Sequence, residues 1–258
     1  MLKGLYTAYT GMINEQNRMD VLTNNLANAD TAGFKKEGAT SQSFDEVLAV
    51  KIKDSSEYAG LHRNMGRVSL GVKVGENYTD FGQGSFRLTD NTYDMALSGP
   101  GFFTIQFTNK AGETSLKYTR DGSFTVNKQG YLVTKDGDYV MGENGRIQVD
   151  PLKLSAIDSQ GNISQDGELI DTIRVTDFED YNYLKHYGEN YYEPVRGAQM
   201  KEDTDYKVVS GYLEMANVQV VSEMVEMISV SRAYETNQKM IQTFDSTLDI
   251  AANQLGKV

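Results

Sequence analysis

Asn24-Asn25-Leu26-Ala27-Asn28-Ala29-Asp30-Thr31-Ala32-Gly33 is where this chain changes character. Asn, Asp and Gly are favoured at helix ends and turns, so the stretch reads as the stop of a helix. On its N-terminal side, residues 3–28 contain no proline and only two glycines. Apolar side chains fall at Leu5, Ala8, Met12, Met19, Leu22 and Leu26, with Glu15 the one exception to a heptad series. That spacing suits a narrow helix–helix seam. A helix of this span is roughly 39 Å long.

Beyond the stretch the material differs. From about residue 70 to 210, strand-like runs alternate with the turn dipeptides Asp121-Gly122, Gln129-Gly130, Asp136-Gly137, Asn144-Gly145, Gln160-Gly161 and Asp166-Gly167. Turns at such short intervals predict a meander of short antiparallel strands. A segment of that size can bury a core of its own. From Asn217, a candidate N-cap, the helical pattern returns almost to the end, with Glu223 and Glu226 early enough to complement the helix dipole. Val220, Met227, Tyr234, Ile241, Leu248 and Leu255 repeat every seven residues. Met224 and Ala252 fill two of the companion positions, while Ser231, Gln238 and Asp245 occupy the others. Some 40 helical residues would be about 60 Å long, more than a small domain covers.

The expected class is therefore α+β, with N- and C-terminal helices paired as a coiled coil and flanking an all-β central domain. Residues 1–33 with 212–258 form the helical polymerisation domain, 34–69 an extended connector and 70–211 the β domain. A buried Leu, Ile or Met contributes roughly 1.5–3 kcal/mol, and ordering backbone costs roughly 1–2 kcal/mol per residue. A single seam with polar gaps is marginal, so neighbouring copies are expected to complete it.

Composition excludes several functions. The 258 residues include no cysteine, which removes disulfides and thiolate zinc sites. A net charge of −11 disfavours nucleic acid, whose binding rests on Lys and Arg. No run approaches the ~20 apolar residues that cross a bilayer, so membrane insertion is not expected. The N-terminus has no apolar core followed by a small-residue cleavage site, so no cleaved signal is expected.

Chemistry-bearing motifs are sparse. Gly82-Gln83-Gly84 and Gly99-Pro100-Gly101 resemble phosphate loops only superficially, because no Gly-Lys-Ser/Thr follows. Turns such as Asp136-Gly137-Asp138 lack calcium-loop spacing. His62 and His186, the only histidines, have no ligand or triad spacing. Met215, Met224, Met227 and Met240 read as packing. Tyr181, Tyr183, Tyr187, Tyr191 and Tyr192 form one unusual cluster, suited to edge packing of the β domain or to a neighbouring protein. Neither catalytic residues, nor a metal, nor a cofactor is expected.

Several stretches together resemble a known family. These are Asn24–Lys36, Thr79–Phe86, Leu97–Phe103, Tyr118–Phe124, Gly211–Val218, and the Glu223-Met224-Val225 and Ser231-Arg232-Ala233-Tyr234-Glu235 runs of the last helix. In that order they resemble the axial proteins of the bacterial flagellum, specifically the rod subunits of the basal body. Ala29-Asp30 departs from the family pattern, which has a larger apolar residue followed by Asn or Ser. Within the family, length leaves no room for the extra domains of hook subunits. Arg232-Ala233-Tyr234-Glu235 and the first-helix signature are more similar to the distal rod subunit than to its proximal-rod relative.

The resemblance implies export through the flagellar type III apparatus without signal cleavage. It also implies helical self-assembly into a hollow drive shaft across the cell envelope. Implied partners are other copies, neighbouring rod and hook subunits, and surrounding ring or bushing proteins. The implied subunit interface comprises Leu5, Ala8, Met12, Met19, Leu22, Leu26, Val220, Met224, Met227, Tyr234, Ile241, Leu248 and Leu255. Asn24, Asn25, Asn28, Gly33 and Phe34 form the implied hinge. Three rival readings remain: a proximal-rod or hook-type axial subunit, a wall-remodelling hydrolase associated with rod assembly, and a surface β domain on a coiled-coil stalk.

Overall fold

The proline-free N-terminal stretch forms helix α1, Leu2–Ala27, and the last helical pattern forms α2, Val220–Asn253. A computed structural model describes residues 2–44, 47–51, 63–69, 71–110, 112–188, 190–201 and 204–253. The architecture is α+β, with a helix at either end of a mostly β middle. Two compact units result. One contains Met1–Leu26, Glu37–Thr79 and Val220–Val258, and the other Ala27–Lys36 and Asp80–Gln219.

The first unit also contains strands drawn from the region read as a connector and from the first residues of the region read as the β domain. Glu37–Ser43 pairs antiparallel with Val72–Thr79, with a register irregularity between Ala39 and Ser41. Val47–Lys51 pairs in the same sense with Arg63–Val68. His62 lies outside the described residues, as does Leu255 at the end of the apolar column.

The second unit is built on a nine-stranded sheet. Its central strand, Phe102–Thr108, pairs with Thr114–Thr119 along one edge. Its other edge takes Val175–Phe178 and then Tyr139–Val140. The expected meander is therefore only local, as in Thr125–Val126, Leu132–Val133 and Tyr139–Val140. The departure has a packing cause. Phe103 and Ile105 face an aliphatic core with Met95, Leu97, Leu132 and Val140. Phe102 faces an aromatic cluster with Tyr118, Phe178 and Tyr192. A strand buried on both faces must sit inside the sheet, flanked by partners distant in sequence.

Turn chemistry is regular. Asn109–Glu113, Asn127–Tyr131, Thr134–Asp138 and Asp158–Asn162 are the same five-residue loop. In each, the first residue's side-chain oxygen accepts from the last residue's backbone N–H. Gly112, Gly130, Gly137 and Gly161 occupy the left-handed fourth position. Asp166-Gly167, both at positive φ (53° and 86°), close the hairpin between Asn162–Gln165 and Glu168–Thr172 as a type I′ turn.

Candidate functional site

Within the first unit, α1 and α2 touch at four levels that run in opposite directions along the two helices. Phe244 stands over Gly4, where an added Cβ would come within 2.7 Å of its ring. Asn237 faces Gly11 in the same manner at 3.1 Å. Arg18 Nη2 donates to Glu226 Oε1 at 3.0 Å, and Asn25 Nδ2 donates to Glu223 Oε2 at 3.2 Å. The helices are thus antiparallel neighbours.

On α1, Ala8 and Leu22 are buried, and Leu5, Met12, Met19 and Leu26 are half-buried. A second inward column, Asn14, Val21 and Asn25, lies beside them. On α2, Met227, Tyr234 and Ile241 are half-buried, whereas Val220, Met224 and Leu248 are exposed. The inward companions of Met227, Tyr234 and Ile241 are Glu223, Val230, Asn237, Phe244 and Ala251. They lie one residue away from the Met224, Ser231, Gln238, Asp245 and Ala252 positions that the heptad pattern indicates. Specific partners set this phase: the Asn25 amide holds Glu223, and Gly4 and Gly11 leave room for Phe244 and Asn237.

The hinge residues divide into distinct roles. Asn25 is fully buried. Its amide donates to Glu37 O at 2.8 Å, and its Oδ1 accepts from Glu37 N–H at 2.9 Å. Asn25 therefore acts as a mock strand partner, satisfying backbone groups that burial would otherwise leave costly. Asn28 O and Oδ1 accept from the backbone N–H and hydroxyl of Thr31. Asn24 is exposed on the outer side of α1, and Phe34 is buried. Gly33 has φ +72°, and a Cβ there would fall 2.2 Å from Asp121 N, so no other residue fits without moving backbone.

In the second unit the remaining motifs converge on one buried carboxylate. Glu214 Oε1 accepts from Lys35 Nζ at 2.6 Å and from Gly84 N–H at 3.0 Å. Arg120 Nη1 donates to Glu214 Oε2 at 3.3 Å. Lys35 Nζ also donates to Gly82 O, and Arg120 Nη2 donates to Gly99 O, both at 2.9 Å. Burial pushes the Lys35 ammonium below the usual lysine range; the Glu214 carboxylate opposes that shift and the Arg120 charge adds to it. All three side chains are almost wholly enclosed. Desolvation makes such a cluster a weak source of net stability, yet removing one partner strands the others.

Asn217 belongs to this junction and does not cap α2. Its Oδ1 accepts from Lys36 N–H at 2.7 Å, and its amide donates to Asp80 O and Gly82 O. These bonds compete successfully with the capping role, and the helix starts only at Val220. The two glycine motifs are places of close backbone approach. A Cβ on Gly84 would lie 1.9 Å from Met215 O. Lys35, Arg120 and Glu214 are not singled out by spacing. The signal available was a charged residue set among apolar and glycine neighbours in each motif.

The tyrosine cluster separates. Tyr192 is buried in the aromatic core, and Tyr181 packs at its edge against Phe81 and Phe102. Tyr187 and Tyr191 flank Phe107 and line a cleft of about 580 Å³. Tyr183 is exposed, and His186 packs against Tyr192. The acids of Asp136-Gly137-Asp138 accept from the Tyr191 hydroxyl. Among the described residues no three acidic or histidine side chains gather as a metal site, and no helix is long and apolar enough to cross a membrane.

What the elements present is thus a pair of amphipathic end helices and a β unit stitched by its own motifs, the build of an assembly protein. Comparison with known proteins agrees. Residues 5–35 match the family described as flagella basal body rod protein. Residues 96–170 match the flagellar hook protein FlgE/F/G D1 domain, and 209–255 match the flagellar basal body rod FlgEFG protein C-terminal region. The chain is 30% identical to the flagellar hook-basal body complex protein FlhO of Bacillus subtilis strain 168 over the full length of both. It is 32% identical to the flagellar basal-body rod protein FlgF of Caulobacter vibrioides, again over all of both chains. With FlgG of Bacillus subtilis it shares 31%, covering 98% of this chain and 99% of that one. The chain belongs to the flagellar basal-body rod protein family, and is a structural protein of the flagellum's basal body, serving motility.

Proposed function

We propose that this chain is a distal-rod subunit that self-assembles helically through its terminal helices into a hollow drive shaft. The observation that carries the reading is the apolar surface left open on α1 and α2, notably Tyr6, Tyr9, Val221 and Val225. Exposed apolar stripes of this kind mark surfaces awaiting a partner. Leu5, Ala8, Met12, Met19, Leu22, Leu26, Val220, Met224, Met227, Tyr234, Ile241, Leu248 and Leu255 supply the seams. Paired as a coiled coil and bounded by neighbours, the helices become stable only in the assembly. Asn24, Asn25, Asn28, Gly33 and Phe34 form the hinge between the helical polymerisation domain and the β domain. The role is mechanical, without catalysis.

The chain reaches its site through the flagellar type III apparatus without signal cleavage. There it meets neighbouring rod and hook subunits and the surrounding ring or bushing proteins. The Arg232-Ala233-Tyr234-Glu235 stretch supports the distal position. The test is twofold. Purified chain is expected to sediment as polymers at high concentration, with helicity rising as polymers form. Immunolabelling of isolated basal bodies is expected to mark the distal rod; bodies complete without the chain would overturn the reading.

A further inference from the structure

Asn144-Gly145 is the one Asn–Gly pair in the chain, and it forms the tip of a tight turn in the second unit. Gly142 N–H donates to Gly145 O at 2.6 Å, and Met141 bridges Arg146 across the turn. The turn rests on the strand Glu168–Thr172 and the residue after it. Glu143 N–H donates to Thr172 O at 3.0 Å, and Gly142 bridges Ile173, a core residue. Asn144 is exposed, but its amide donates to Asp171 Oδ1 at 3.1 Å. Asp171 is buried, and the same oxygen takes the backbone N–H groups of Asn144 and Thr172. Its other oxygen lies against Gly142, where a Cβ would come within 2.3 Å of it.

Three features open Asn144 to attack by its own backbone. No acceptor among the described residues meets the Gly145 N–H, so that nitrogen can lose its proton to solvent base. Gly145 has no Cβ, and the place where one would project is empty to 4 Å, which leaves room for a ring to close. Its φ of 129° favours glycine, so the turn itself selects the reactive pair. Other turn residues lack this combination. Asn109 and Asn127 use Oδ1 to accept from backbone N–H groups of their own loops, and they precede Lys110 and Lys128. Asp121, Asp136 and Asp166 precede glycine but have no amine to expel.

We propose that Asn144 is a site of spontaneous deamidation, and that its product loosens the turn from the strand beneath it. The Gly145 nitrogen bonds to Asn144 Cγ, the Cγ–Nδ2 bond breaks, and ammonia leaves with a proton returned by solvent. Water then adds to one of the two carbonyls of the succinimide. Opening at Cγ leaves an aspartyl residue at position 144. Opening at the backbone carbonyl carbon leaves an isoaspartyl residue, with the main chain rerouted through Cγ and one carbon longer. Amide and water become acid and ammonia, and nothing is oxidised or reduced. Either product replaces a donor to Asp171 with a second negative charge beside a buried carboxylate. Gly142 blocks Asp171 from swinging away. The isoaspartyl product also shifts the register between Met141 and Arg146. The folded chain thereby accumulates a covalent mark of its age at one turn.

The test incubates the full-length chain in mildly alkaline buffer, with samples taken for peptide mapping by mass spectrometry, isoaspartyl-specific methyl transfer and thermal unfolding. Position 144 is expected to gain the mass difference between hydroxyl and amino about tenfold faster than positions 109 and 127, about 1.4 kcal/mol in barrier. Tm is expected to fall by roughly 5 °C in step with conversion, while the Gly142 and Glu143 amides lose hydrogen-exchange protection. Asn144→Gln, whose longer side chain closes a ring far more slowly, should keep its Tm through the same incubation. Asn144→Asp should begin with the lowered Tm. Conversion at position 144 no faster than at 109 and 127 would overturn the inference. So would an Asn144→Asp chain with unchanged Tm, or an Asn144→Gln chain that declines equally. Should Asn144→Gln misfold, Asn144→Ser, which cannot cyclise in this way, takes its place.

Discussion

Lys35 Nζ lies 2.6 Å from Glu214 Oε1, although the two are 179 positions apart in sequence, and both side chains are almost sealed from solvent. The bond ties the segment that follows α1 to the strand Tyr212–Glu214, shortly before α2. Arg120 approaches the other oxygen of the same carboxylate from the middle of the chain. One acidic side chain thus binds the beginning, middle and end of the second unit.

Glu214→Gln should destabilise the second unit by about 3–5 kcal/mol, since it leaves two buried cations without their counter-charge. Lys35→Met combined with Glu214→Gln should cost less than the sum of the two single changes. Chemical denaturation of the four chains in a double-mutant cycle measures the coupling. Strict additivity would show that the pair does not interact in the folded state.

Asn25→Leu should cost about 1–3 kcal/mol by removing the donor and acceptor that serve Glu37 and the donor aimed at Glu223. Hydrogen exchange is the discriminating measurement. The Glu37 amide should lose protection along with its neighbours in Glu37–Ser43, while the amides of Phe102–Thr108 should keep theirs.

Glycines at two kinds of contact should respond oppositely to Ala. At Gly84 the new Cβ meets the Met215 carbonyl, which belongs to backbone and cannot step aside. Gly84→Ala is expected to lower Tm by many degrees, consistent with more than about 2 kcal/mol. At Gly11 the neighbour is the end of the Asn237 side chain at 3.1 Å. Gly11→Ala gains about 1 kcal/mol of helix propensity, which offsets the repacking, so its Tm should change little.

Alkaline pH should weaken the second unit. Burial, reinforced by a hydrogen bond donated to Asp177, pushes the Tyr181 phenol from 10.0 up to about 12. Burial also raises Tyr191, which is further held by Asp138. A raised tyrosine pKa means the folded state keeps a proton the unfolded chain releases. The stabilisation is therefore complete below pH 10 and is lost as pH climbs from 10 through 12. Tyr181→Phe should flatten the decline of Tm across that window, and tyrosinate absorbance should show one fewer late-titrating group.

The sequence by itself determined the α+β plan. Freedom from proline and the spacing Leu5 to Leu26 specify α1 and its inward face, because helical periodicity is a local property of the chain. Pairs such as Asp166-Gly167 specify turns for the same reason, since positive φ is a local demand. Only the tertiary structure decided which column of α2 turns inward. A seven-residue repeat leaves neighbouring columns nearly equivalent, and Glu223 and Asn237 appear as surface residues until the Asn25 amide and the Gly11 gap are placed opposite them. Asn217 shows the same limit. As a residue type it suits a helix cap, but Lys36, Asp80 and Gly82 offer it backbone partners that exist only once distant segments meet. The Glu214 junction is tertiary in the same sense. The value of a buried charge depends on desolvation and on partners far along the chain, and neither is encoded in local spacing.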